Sequence, residues 1–131
     1  MVFVDTGAWF ALSVKSDPDH VQAKKYVDQN RDPLVTTDYV VDKLLTLFVV
    51  RRKKAHGTEW LRDVLHGGGV ELIRIAPTDF EEASQVYEHY TDKAWSFTDC
   101  TSLVVMRKIG ITKAFSFDDH FREFGTVQVV P

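Results

Sequence analysis

One cysteine, four prolines and seven glycines among 131 residues exclude several kinds of protein at once. The lone Cys100 cannot close an internal disulfide, which sets aside disulfide-stapled secreted scaffolds. So little proline and glycine also excludes a fibrous or disordered chain. No long apolar run is present: the richest, Leu44 to Val50, is about a third of the ~20 residues that span a bilayer, and Arg51-Arg52-Lys53-Lys54 follows at once. The amino terminus lacks the basic n-region of a signal peptide and carries an acid at position 5. A surplus of positive charge is missing too, since 16 Lys and Arg stand against 19 Asp and Glu for a net charge of -3. That excludes the generic basic surface of a nucleic-acid-coating protein, so any polyanionic partner must meet local chemistry. Repeats, low-complexity tracts and linkers are absent as well. What is present, 44% hydrophobic and 12% aromatic, is expected to form one domain over residues 1–131, cytoplasmic and without a membrane partner.

The order of elements sets the fold class. Val2 to Val4 read as a buried strand ending in Asp5, after which Thr6-Gly7 turn the chain into a helix. Asp17-Pro18 predicts a helix start, with Val21, Tyr26 and Val27 sharing a face. Pro33 to Thr36 predicts a second strand, followed from Asp38 by the longest helix, running into the cations at 51–54. Thr58 is expected to cap a short helix that Gly67-Gly68-Gly69 stops, before a third strand over Val70 to Ile75. The Thr78-x-x-Glu81 spacing predicts a capping box for the next helix, and another begins near Thr98 and ends at Gly110. Ala114 to Phe117 and Val127 to Val130 predict the last two strands. Strands alternating with helices imply an α/β sandwich around a parallel sheet of about five strands.

Open parallel sheets bind ligands beyond the carboxyl ends of their strands, which gives acids at strand exits their interest. Asp5 is expected to end the first strand and Asp118 the fourth, while Asp99 starts a helix on a connection over the same edge. Asp99 is open to a second reading as a first-turn acid favoured by the helix dipole, and Asp118 to one as a turn residue or N-cap. Asp5 does little for stability unless something pairs with it. Three converging carboxylates need compensation, and a hard divalent cation, magnesium or manganese, is the natural agent. Zinc is disfavoured by the single Cys and by five histidines with no close pair at ligand spacing. Cys100 has no identifiable His partner, no serine occupies a nucleophile elbow, and the triple glycine precedes a strand rather than a helix, so no phosphate-cradling loop is present.

The segments VFVDTGAWFAL, TTDYVVDKLLTL, WSFTDCTSLVVMRKIG and AFSFDDHF, in this order, resemble a PIN domain, in particular the VapC-type toxins of prokaryotic toxin–antitoxin pairs. The resemblance implies a three-layer α/β/α sandwich and metal-dependent cleavage of RNA. By motif, Asp5, Asp99 and Asp118 match the metal-binding catalytic acids, with Mg2+ or Mn2+ as cofactor, and Thr6 matches the small hydroxyl residue beside the first. It also implies a cognate VapB-type antitoxin, reaching surfaces that include Trp9 and Phe10, and pairing as a homodimer. One position departs from the pattern. Lys43 stands where family members carry a glutamate, moving the site's charge by two units. Adjacent Asp42 points about 100° away around the helix, which makes it a poor replacement. Reduced nuclease activity is therefore expected, and the competing reading is an impaired pseudo-enzyme that binds RNA or antitoxin without cleaving. Arg51, Arg52, Lys53 and Lys54 invite RNA contact but better suit the end of a helix, where the macrodipole favours cations; Arg107 and Lys108 are weaker candidates. A phosphoryl-transfer domain of the dehalogenase or receiver type is disfavoured, because Gly7 stands where the first expects an acid and no acidic pair ends the first strand.

Overall fold

A computed structural model describes every residue from Met1 to Pro131. The chain runs β1 (Val2–Val4), α1 (Thr6–Ser13), α2 (His20–Gln29), β2 (Leu34–Thr37), α3 (Asp38–Val50), α4 (Lys54–Trp60), a π-helical turn (Leu61–Leu65), β3 (Glu71–Ile73), α5 (Pro77–His89), α6 (Phe97–Ile109), β4 (Lys113–Phe115), α7 (His120–Glu123) and β5 (Gln128–Val130). The five strands form one wholly parallel sheet in the order β3-β2-β1-β4-β5. Strand β1 is central, with Phe3 opposite Val35 on one side and Ala114 on the other. All three of its residues are fully buried, which is why it is apolar throughout rather than alternating.

The strand order carries the main positional consequence. From β1 the chain winds outward through β2 to β3, then crosses back by α5 and α6 to β4 on the far side of β1. Right-handed crossovers put that return over the opposite face from α1 to α4, and the reversal opens a crevice between the carboxyl ends of β1 and β4. Aromatic pairs fasten the helices. Trp9 meets Trp60 at 5.4 Å and Phe10 meets Phe48 at 5.4 Å, joining α1 to α4 and α3, while Tyr90, Trp95, Phe124 and Phe121 form a chain of ring contacts. The three tryptophans are thus core residues, and none is placed to stack a base. Trp9 is also spent internally, its indole N–H donating to Thr36 Oγ1, and Phe10 is packed on Phe48.

Several boundaries differ from the expectation, each for a local reason. The Asp17-Pro18 segment is a turn in which Asp17 Oδ1 accepts the Asp19 N–H at 2.8 Å, and α2 starts only at His20. Val21 is 78% exposed; Ala23, Tyr26 and Val27 make the inward stripe at i, i+3, i+4 spacing. The long helix stops at Val50, because Arg52 takes a left-handed φ of 57° and Lys53 N–H bonds back to Phe48 O. A new helix, α4, begins at Lys54, and Thr58 lies inside it, donating to Lys54 O, rather than capping it. At 13 residues α3 is matched by α5 and α6. Asp79, not the Thr78–Glu81 pair, caps α5 by accepting the Ala76 N–H at 2.9 Å. Strand β4 ends at Phe115, so Asp118 lies three residues beyond it instead of directly at its exit. Gly110, with φ 79°, closes α6 as expected.

Candidate active site

Asp5 leaves β1 at the N-cap position of α1, yet its side chain makes no capping bond. It turns instead toward β4, where Ser116 Oγ donates to Asp5 Oδ2 at 3.3 Å. The same Ser116 oxygen accepts the Asp118 N–H at 3.0 Å, so one hydroxyl ties the two strand exits together. Asp99, in the first turn of α6, forms a reciprocal capping box with Ser96: Asp99 Oδ2 accepts the Ser96 N–H and Ser96 Oγ accepts the Asp99 N–H, both at 3.0 Å. The local role and the site role of Asp99 therefore coexist. Asp118 Oδ1 accepts the His120 N–H at 3.0 Å, closing the turn into α7.

His120 is the residue sequence reasoning missed. Its Nδ1 lies 3.0 Å from Asp99 Oδ2 and 3.5 Å from Asp118 Oδ1, and ligand atoms of these three residues all lie within 4.8 Å of one another. The only signal in the sequence was an imidazole two residues after Asp118, which the search for histidine pairs passes over. Ser96 did carry a signal, its Ser-x-x-Asp capping-box spacing to Asp99, whereas Ser116 had none.

A cleft of about 640 Å³ gathers Asp5, Thr6, Lys43, Arg51, Asp118 and His120. Lys43 faces it without forming an ion pair with any carboxylate; its Nζ makes one long contact, 3.5 Å, to Ser96 Oγ. Asp42 is exposed and outside the cleft, as its angular position on α3 predicts. The other candidate cations separate. Arg51 reaches the cleft, Arg52 occupies the exposed break after α3, and Arg107 lines a different groove between α5 and α6 beside Lys108, which is paired with Asp79.

The Asp5 carboxyl is raised from 3.8 to about 6, chiefly by burial and further by Asp99 and Asp118, with the Thr6 N–H and the Lys43 ammonium opposing the rise. Burial lowers the His120 imidazole, but its hydrogen bond to Asp99 and the charges of Asp118, Asp99 and Glu123 prevail and raise it above 6.5. The donor chemistry fits a hard divalent cation. Asp99 and Asp118 each have one oxygen held by the fold and one without a hydrogen bond, and Thr6 Oγ1, in the same cleft, is buried with no partner.

A crevice at the topological switch of a five-stranded parallel sheet, lined by Asp5 and Asp118 with Asp99 beside Asp118, is what a PIN domain presents. The sequence model of the PIN domain matches residues 2–127, and the chain belongs to that family. Within it, the chain is similar to the 23S rRNA-specific endonuclease VapC20 of Mycobacterium tuberculosis, 32% identical over all of this chain and 99% of the relative. Ribonuclease VapC26 of the same organism is 29% identical over 79% of this chain and 76% of its own length. The crystal structure of M. tuberculosis VapC20, a Sarcin-Ricin loop cleaving toxin, superposes over the whole of both chains with a TM-score of 0.92 at 28% identity. FitAcB from Neisseria gonorrhoeae, at TM-score 0.72 and 14% identity over all of this chain and 97% of its own, shares the fold.

Proposed function

We propose that the protein is an endoribonuclease toxin of the VapC type, hydrolysing RNA phosphodiester bonds with a divalent cation, Mg2+ or Mn2+, held by Asp5, Asp99 and Asp118. Asp5 and Asp118 lining one cleft, with Asp99 in ligand reach of Asp118 and close enough to Asp5 to raise its pKa, in a chain alignable end to end with an rRNA endonuclease, carry the reading. When bound, the cation supplies Lewis-acid polarisation of the phosphate and a water of lowered pKa.

The chain's own residues do the rest. Asp5 is desolvated and fixed by Ser116, which keeps its charge aimed into the cleft. Thr6 Oγ1 offers an unspent oxygen beside it. Arg51 and Lys43 supply positive charge where an RNA backbone enters, so phosphate is met by local cations despite the net charge of -3. Lys43 also opposes the bound cation, and activity is accordingly reduced relative to a site with an acid there. A VapB-type antitoxin covers the cleft in the inhibited state, with Phe10 and Leu47 of its wall as apolar contacts, and the chain pairs as a homodimer.

The test is an in vitro cleavage assay, with 23S rRNA as the first substrate because the 32% identical relative is specific for it. Cleavage is expected in Mg2+ or Mn2+, stopped by chelator, leaving a 5′-phosphate and a 3′-hydroxyl. Cleavage that persists in chelator, or ends in a 2′,3′-cyclic phosphate, contradicts the proposal.

A further inference from the structure

Three carboxylates carry the proposed reaction, and the structure sets a fourth donor of a different kind among them. Two ligands bound side by side to one ion at ~2.1 Å stand about 3.0 Å apart. His120 Nδ1 and Asp99 Oδ2 are hydrogen-bonded at 3.0 Å, and the same separation lets both become neighbouring corners of one coordination shell once a cation replaces the shared proton. Asp118 completes the group within 4.8 Å. The surrounding bonds already orient these residues: Asp99 Oδ2 takes both the Ser96 N–H and the His120 ring, Asp118 Oδ1 takes the His120 N–H, and Asp99 Oδ1 and Asp118 Oδ2 are left free. A separate observation points to the same place. Thr6 Oγ1, on a residue only 4% exposed and lining this cleft, has no hydrogen-bond partner in the protein.

We infer that His120 is a nitrogen ligand of the cleft's divalent cation, restoring in number the donor that Lys43 removes, and that it biases this site toward Mn2+ over Mg2+. The inference rests on the metal-dependent reading above. Its chemical basis is the difference between the ions. Mg2+ prefers oxygen donors and retains water, so an imidazole adds little to its binding, whereas nitrogen donors strengthen binding along the first-row transition series. Three carboxylates keep the site hard, and Mn2+ is the member of that series that carboxylates also suit. No other imidazole lines the cleft, which isolates the effect to one side chain.

The test uses the full chain with Mn2+ or Mg2+ as the only added ligand. Pulsed electron paramagnetic resonance of the Mn2+-bound protein is expected to show coupling to a coordinated imidazole nitrogen, lost in His120→Asn. Calorimetric titration is expected to give Mn2+ binding at least about tenfold tighter than Mg2+, with His120→Asn weakening Mn2+ about tenfold and Mg2+ less than about twofold. Circular dichroism checks that the variant is folded, and His120→Gln replaces it if not. Mn2+ bound without nitrogen coupling, or equal losses for both ions, overturns His120 ligation and leaves the carboxylate site standing. Failure of the unaltered protein to bind either ion overturns the metal reading and this inference together.

Discussion

Lys43 brings an ammonium to a cleft whose buried charges are carboxylates, yet it pairs with none of them. Its field is felt by Asp5, whose carboxyl it holds below where burial alone would put it. Toward a bound divalent cation the same field is repulsive. At 4 Å and an effective dielectric of about 20, unit charges interact by ~4 kcal/mol, and a divalent ion doubles that. A fraction of this suffices, since ~1.4 kcal/mol is tenfold in affinity. Lys43→Glu is therefore expected to raise metal-dependent RNA cleavage at least about tenfold, measured at equal protein and metal concentrations; equal rates would show that the ammonium does not oppose the cation. Residues of this site differ in how visible they are in a sequence. Asp5 announces itself as a bare acid at the end of an apolar strand. Lys43 is conspicuous only beside the family pattern. His120 has no visible partner in the chain, because Asp99 comes to it from 21 residues away through the fold.

At the scale of elements, α5 shows how a local signal misleads. Thr78 and Glu81 have the spacing of a capping box, but Pro77 opens the helix and Asp79 falls at the position whose carboxylate reaches back to Ala76 N–H. Asp79 is buried and also takes Lys108 of α6 at 3.0 Å, joining the two helices. The Ala76 hydrogen bond, then Lys108, hold its carboxyl below 3.8 against the opposing effect of burial. A depressed folded value means stability that is full above the unfolded carboxylate range and lost as pH falls through the folded value. Asp79→Ala is expected to cost about 1–2 kcal/mol near pH 7, measured by urea denaturation. The gap from the unaltered protein should narrow as pH drops below 3.8; a gap independent of pH would contradict this account. The break between α3 and α4 was hidden for another reason. Four consecutive cations read as a helix end, and nothing marks Arg52, rather than a glycine, as the residue that turns left-handed.

Across the whole molecule, alternating strands and helices were enough to read a parallel sheet, since each strand's apolar run and each helix's stripe are local properties. The order of the strands was not. Which side of β1 receives β4 depends on the long return through α5 and α6, and that choice alone brings Asp118 and His120 opposite Asp5. The net charge of -3 conceals this arrangement by averaging. Desolvated acids gather at the switch point, with Arg51 and Lys43 at the cleft they share. Asp5 tests the account most directly, because it combines burial, repulsion from Asp99 and Asp118, and no capping duty whose loss would weaken the fold. Asp5→Asn removes the charge while keeping the shape. The account predicts a folded protein, unchanged or higher in thermal stability, whose RNA cleavage in Mg2+ or Mn2+ falls more than about a hundredfold, beyond the 10–100-fold expected for a supporting contact. Cleavage at the parent rate by the folded Asp5→Asn protein would contradict it.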